Sequence, residues 1–522
     1  MQSFRKAGAV FLGVILSGLI SHAGAEIAWH QRSVAELKSA LTEGQISAEA
    51  LTRHFIERIE TLDGELSSVL AIDPTALDQA RALDRHLAAG GEPGLLHGIP
   101  VLLKDNIESR DQPTTAGSLA LEHNHTARDA PLVKNLRAAG AVILGKTNLS
   151  EWANFRGERS SSGWSALGGQ TRNPYDPTRT PCGSSSGSGA AVAARLAPVA
   201  IGTETNGSIV CPASATANVG IKPTVGLISR AHMVPISRTQ DTAGPMSVRV
   251  ADAVIALAAM MGPDSADPAS LERPDWGSDE LLAALETQNL DGLRIGVIRG
   301  LSDFHPSVLA HYDQAIQTLR AAGAEIVDEL GLDWPDGFWA DTYTVLLHEF
   351  RHGLNAYLGS LPDDRLKRLD LAALIEFNRE HADRQMPWFG QEHFERAEAT
   401  DGIESEAYRE ALARIRRATR EDGIDRLLAE HEVDLLISPT GGPAWKIDWI
   451  NGDHFGGGSA TPAAVSGYPA ITLPMGSVHG LPVGLSLFAG RYSEPLLIAA
   501  ATVFEREQHL ILAPPTQPAG TP

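Results

Sequence analysis

One lysine and two clusters of serine and glycine are the residues of this 522-residue chain whose types and spacing can do covalent chemistry. Lys104 ends the segment Val101-Leu102-Leu103-Lys104 and is followed by Asp105 and Asn106. The second segment, PCGSSSGSGAAVAA, covers residues 181–194, and the third, GTETNGSIVCPAS, covers residues 202–214. Glycine beside serine lets the backbone come close to a substrate. Consecutive amides in such a loop form a concave site suited to an oxyanion, and the AAVAA run reads as a helix start that adds a positive dipole end. A serine needs a base to become a nucleophile, and neither cluster contains a histidine. A lysine serves when it is neutral; its reference pKa of about 10.4 falls by several units on burial. Lys104, behind three apolar residues, is a candidate for that desolvation. Two plainer readings stand beside this one: Lys104 as a surface residue closing a strand, and the Ser/Gly segments as linkers.

Other motifs compete for attention. Residues 140–147, GAVILGKT, fit the phosphate-loop pattern, which needs a strand before it, a flexible loop within it and a helix after it. Here a helical pattern precedes and Ala-Val-Ile-Leu reads as the strand itself, so the amides are spent in a sheet. Residues 183–187, GSSSG, fit a nucleophile elbow, which must follow a buried strand; the preceding QTRNPYDPTRTPC contains three prolines and is not one. His123 and His125 lie in a polar stretch and read as solvated. Asp105 either orients the Lys104 loop or makes an ordinary turn hydrogen bond.

The elements that must position the three segments are legible in outline. Residues 33–62 have helical periodicity, with Ser33 and Ser47 as N-caps. Residues 97–107 read as a buried strand that stops at polar residues. The stretch 131–145 is a helix, a capping Gly140 and a strand, and residues 315–330 repeat that grammar around Gly323. LRIGVI (293–298) and VDLLIS (433–438) are further buried strands. Helix and strand alternate over most of the chain, which implies an α/β fold with a largely buried sheet. Residues 337–425 read as mostly helical and cap-like. Residues 160–245, rich in Gly, Ser, Thr and Pro, read as functional loops.

Composition narrows the function classes. With 43% hydrophobic and 20% charged residues the chain is globular, and 43 basic against 64 acidic residues give −21. Such a surface speaks against nucleic acid and anionic lipid as partners. Two cysteines exclude a disulfide framework and a four-thiolate metal site. Residues 1–25 have a basic start (Arg5, Lys6), an apolar run from Ala7 to Ile20 and a small-residue Ala23-Gly24-Ala25 end, the pattern of an export signal cleaved before Glu26. Its removal leaves −23 and no stretch of about 18 apolar residues, so no stable membrane association is expected of residues 26–522, read as one domain. Export to an oxidising compartment would allow a disulfide between Cys182 and Cys211.

Taken in order, GIPVLLKDNI, GKTNLSEW, CGSSSGS, GTETNGSIVCP, GIKPTVG, TPAAVSGYPAITLPMG and GLPVGLSLF resemble the amidase signature family over roughly residues 30–510. The resemblance implies a large twisted mixed β-sheet covered by helices on both sides. It also implies a Ser–Ser–Lys triad in which Lys104 is the base, Ser184 the bridging serine on a cis peptide bond, and Ser208 the nucleophile. The family's oxyanion amides fall on Thr205, Asn206, Gly207 and Ser208. Neither a metal nor an organic cofactor is implied. The chain departs from the family at Cys182, Ser186 and Asn206, where many members carry glycine; Asn206 narrows the acyl pocket. The wording of TNLSEWANFRG and GWSALGGQTRNPYD is most similar to the bacterial peptide amidase branch, which implies C-terminal peptide amides as substrates. Within the family, aryl, alkyl or fatty acyl amides are the alternative, for which Trp152, Trp164, Trp388 and Trp445 either line an acyl pocket or fill the core. An amidotransferase subunit is disfavoured by the export signal and the charge. Outside the family, an exported solute-binding protein is the rival; it would release no ammonia. The oligomeric state is not written in the sequence.

Overall fold

Gly140 sets a helix-to-strand turn into the sheet. Its φ of +87° follows the helix Pro131–Ala138, and a Cβ there would stand 2.9 Å from the His97 backbone. The chain can therefore turn tightly into β3 (Val142–Thr147), whose six residues are all buried. The GAVILGKT segment is thus a ladder strand, paired in parallel with β2 (Pro100–Lys104) through Val101↔Ile143 and Lys104↔Thr147. Gly323, at φ +108°, makes the same turn between the helix Pro306–Ala321 and β10 (Glu325–Leu330), which pairs in parallel with β9 (Arg294–Ile298).

The protein is described by a computed structural model over residues 28–272 and 274–514; the expected export segment 1–25 lies outside the described residues. The remaining strands are β1 (Val69–Ile72), β6 (Val199–Glu204), β7 (Val219–Lys222), β8 (Thr242–Ser247), β11 (Leu435–Pro439), β12 (Ala470–Val478) and β13 (Leu481–Phe488), with a small hairpin of β4 (Trp164–Ser165) and β5 (Gly169–Gln170) apart from them. They form one 11-stranded mixed sheet in the order β1-β3-β2-β6-β8-β7-β12-β13-β11-β9-β10. Its centre is antiparallel, while β3-β2-β6 and β11-β9-β10 are parallel wings. Every residue of β2, β3, β6, β7, β8, β11 and β13 is buried. Alternate side chains point to opposite faces, so both faces of the sheet are covered.

Ser33 and Ser47 cap the helices Val34–Thr42 and Ala48–Leu62 as their sequence predicts, Ser33 in a capping box with Glu36. The cap-like region is helical over Phe338–Gly359, Leu371–Glu380 and Glu406–Thr419. It has its own apolar clusters: Phe350, Leu354 and Phe394 pack on Trp152, and Phe338, Val345 and Ile415 pack on Val465. Among the described residues, no helix is long and apolar enough to cross a membrane.

Candidate active site

Lys104 is the last residue of β2, at 0% exposure. Parallel pairing of β2 with β6 (Leu103↔Ile201) carries its side chain beside Thr203. Nζ lies 2.7 Å from Ser184 Oγ, 2.8 Å from Thr203 Oγ1 and 3.2 Å from the Thr203 carbonyl. Asn106 Nδ2 donates to the same Thr203 hydroxyl at 3.0 Å. Burial pulls the Lys104 amine down from 10.5 to about 7, against the charges of Asp241 and Glu204, which push it up. A neutral amine has two N–H groups and a lone pair. With the Thr203 carbonyl able only to accept, one hydroxyl can donate to that lone pair, and Ser184 is in place to do so.

Ser184 follows a cis Gly183–Ser184 bond and is fully buried. A side chain at Gly183 would collide with Ser150 Oγ, and the Ser184 carbonyl receives the Ser150 amide at 3.1 Å. The GSSSG segment enters the helix Ser186–Ala193 from a loop, not from a strand. The two serine loops touch directly: the Ser185 amide donates to the Ser208 carbonyl at 3.2 Å.

Ser208 sits just before the short helix Val210–Ala215 and, at 8% exposure, is the least buried of the three expected residues. Its turn is shaped by Glu204, the last residue of β6. That carboxylate receives the amides of Gly207 (2.9 Å), Ile209 (2.7 Å) and Val210 (3.0 Å). Of the four amides expected to face an oxyanion, that of Gly207 therefore already has an acceptor. Thr205 Oγ1 donates to Asp241 at 2.6 Å, and Asp241 also receives the Ile236 and Ser237 amides. Burial raises the Asp241 carboxyl to about 6. Asn206 Nδ2 reaches Thr461 Oγ1 at 3.3 Å.

Cys182 and Cys211 are joined by a disulfide, with a Cα–Cα separation of 6.0 Å. It ties the chain two residues before Ser184 to the chain three residues after Ser208. Both cysteines, with Gly183, Asn206 and Gly207, line a cavity of about 580 Å³. Its walls include Trp334, Trp339, Trp445 and Phe455, and Asp453 is the one ionisable group among its lining residues.

Several expectations resolve here. Asp105 faces Lys146, 3.2 Å away, and receives the Thr115 hydroxyl; it makes no hydrogen bond to Lys104. Of the four tryptophans singled out in the sequence, only Trp445 lines the cavity; Trp152 is in the core, Trp164 is buried outside the cavity and Trp388 is 40% exposed. His123 and His125 are exposed. Thr203, Asn106, Glu204 and Asp241 were not singled out. An acid three residues ahead of Gly207 in GTETNGS was a usable signal for Glu204, since carboxylates favour the free amides of a turn entering a helix. Nothing local marks Asp241.

The amidase family model matches residues 50–498. The native peptide amidase of Stenotrophomonas maltophilia is 46% identical, with a TM-score of 0.89 over 93% of this chain and 99% of that one. A peptide amidase solved with the competitive inhibitor chymostatin is likewise 46% identical, with a TM-score of 0.90 over 94% and 100%. A probable amidase of Arabidopsis thaliana is 39% identical over 498 residues, covering 93% of this chain and 91% of its own. A match of that extent, on a sheet that brings a buried lysine against a serine, makes the chain a member of the amidase signature family and an amide-hydrolysing enzyme.

Proposed function

We propose that this enzyme removes the C-terminal amide nitrogen of peptides as ammonia, with Ser208 as nucleophile, Ser184 as bridge and Lys104 as base. The observation that carries this reading is the 2.7 Å contact between a dry Lys104 amine, held near 7, and Ser184 Oγ. The Ser208 hydroxyl proton passes to Ser184 Oγ while the Ser184 proton passes to the Lys104 lone pair, and Ser208 Oγ bonds to the amide carbon. The carbonyl π pair moves onto oxygen, which the amides of residues 205–208 face; the Gly207 amide is shared with Glu204. Each such donor is worth about 3 kcal/mol in the transition state. As the C–N bond breaks, the leaving nitrogen takes a proton from Ser184, which is refilled from Lys104, and ammonia departs. Water then cleaves the acyl-enzyme by the same relay and the peptide acid leaves.

The charge pattern of the cavity supports a neutral carboxamide. A free C-terminal carboxylate would find no cation among the lining residues and would meet Asp453. The likeness to peptide amidases supports a peptidyl acyl group. The aromatic walls also suit a second reading, aryl or fatty acyl amides. Ammonia release from amidated dipeptides, simple aliphatic amides and a fatty acid amide separates the two; turnover of the fatty acid amide alone would replace the peptide reading. Ser208→Ala is expected to stop turnover and keep the fold, and full activity in that variant would end the assignment. Export is proposed from residues 1–25, and the test is the N-terminal residue of protein recovered from the cell envelope, expected to be Glu26.

A further inference from the structure

A second cavity, of about 590 Å³, shares no lining residue with the first. Arg58, Arg195 and Arg249 line it, and no Asp or Glu does. Much of the remaining lining is apolar, including Leu62, Leu66 and Ile511.

The arginines are short of partners, although the chain carries −21. Arg58 donates to the Arg195 and Ala194 carbonyls at 2.9 and 3.2 Å. Neither Arg58 nor Arg195 has a carboxylate within 4.0 Å among the described residues, and the Arg195 guanidinium donates to no protein acceptor there. Arg249 meets Glu36 only at 3.9 Å. Burial first, then the charge of Arg249 and more weakly that of Arg58, lowers the Arg195 guanidinium from its ordinary value. Burial and Arg58 bring His30, also in the lining, down to about 4, so it is neutral at pH 7.

Acids stand behind the wall, not in it. Asp252 receives the Val34 amide at 2.8 Å and Glu505 the Val250 amide at 2.9 Å; burial raises them to about 6 and about 7. They offset part of the positive charge, but neither accepts a hydrogen bond from the Arg195 or Arg249 guanidinium. Guanidinium groups prefer planar oxyanions, which they bind through paired charge-assisted hydrogen bonds.

We propose that this cavity binds a small organic oxyanion, a carboxylate or phosphate carried on an apolar body, with Arg195 and Arg249 gripping the anionic head and the leucine side receiving the body.

The test is isothermal titration of the full chain with phenyl phosphate at low ionic strength, with inorganic phosphate, benzoate and phenol in parallel. Expected are saturable one-to-one binding of phenyl phosphate and benzoate, weaker binding of inorganic phosphate and none of phenol. R195Q/R249Q should weaken binding at least ten-fold and R195K/R249K less, with amide turnover unchanged in both. Absence of saturable phenyl phosphate and benzoate binding, or undiminished affinity in R195Q/R249Q, would overturn the site. Equal affinity for inorganic phosphate and phenyl phosphate would remove the apolar body from it. Should R195Q/R249Q not fold, R195Q alone makes the same comparison, because Arg195 donates to no protein acceptor that the change would strip.

Discussion

Protonating Lys104 is the perturbation that separates this mechanism from one with a permanently charged lysine. Burial takes the amine from 10.5 to about 7. At 1.36 kcal/mol per pH unit, that difference is roughly 5 kcal/mol against the charged form in the folded protein. Two consequences follow with opposite readouts. With a slow amide substrate, so that chemistry limits, kcat/KM should be level above pH 8 and fall about ten-fold per unit below about 7, reaching roughly a hundredth of its plateau at pH 5. For stability, the native pKa lies below the unfolded one. Between about 7 and 10.5 the unfolded chain holds a proton that the native chain lacks, so stability rises with pH across that window; below about 7 the folded protein bears the full cost. Lys104→Met, of similar length and never charged, should therefore lose turnover without losing stability near pH 6. Its gain is smaller than roughly 5 kcal/mol, because the Ser184 hydroxyl loses its partner, at about 1–3 kcal/mol for a group left unsatisfied, while the Thr203 carbonyl keeps the Ser185 hydroxyl and the Thr203 hydroxyl keeps Asn106. Ammonia release from pH 5 to 9 and urea unfolding of both proteins at pH 6 and 9 make the measurement. A rate level from pH 9 to 5, or a methionine variant that keeps a tenth of the activity, would refute a neutral lysine base.

Three further perturbations test the surroundings. Asp241→Asn removes a negative charge that raises the Lys104 pKa, so the acid limb of the pH–rate profile should move to lower pH. If the limb instead belonged to Asp241, itself near 6, the variant's profile would lose it. Glu204→Gln withdraws the carboxylate that three amides share; unfolding should show a loss of about 1–3 kcal/mol, and kcat should fall by more than KM rises, because Ser208 is displaced while the aromatic cavity walls Trp334, Trp339, Trp445 and Phe455 stay. Opening the Cys182–Cys211 bond with a Cys182→Ala/Cys211→Ala pair frees a loop of 29 residues, which chain entropy values at roughly 3–4 kcal/mol in urea unfolding. Turnover should fall as well, since the bond joins the two serine loops; unchanged kcat would show that Glu204 and the Ser185–Ser208 contact hold them unaided.

Local pattern was enough for many of the elements and marked the three segments as candidates, whose roles only the resemblance to the amidase signature family implied. Gly140 and Gly323 announced their helix-to-strand turns because a positive φ is a requirement of a few neighbouring residues. Ser33 and Ser47 announced helix starts because a cap bonds an amide three residues away. The GAVILGKT run could be rejected as a phosphate loop because four consecutive apolar residues spend their amides in a ladder. Convergence was another matter. Lys104 stands 2.8 Å from Thr203 across 99 residues of chain only because β2 lies next to β6. That adjacency comes from burying both faces of the central strands together, a sum over the sheet with no signature in any one segment. The same holds for Asp241, brought under Thr205 by the antiparallel pairing of β8 with β6, and for Trp334, Trp339 and Phe455, distant in sequence from Gly183 and Gly207 yet lining one cavity with them. Residue type and short-range spacing named the candidate groups; the long-range register of the sheet supplied the Lys104–Ser184 contact, the dryness and the lowered amine pKa.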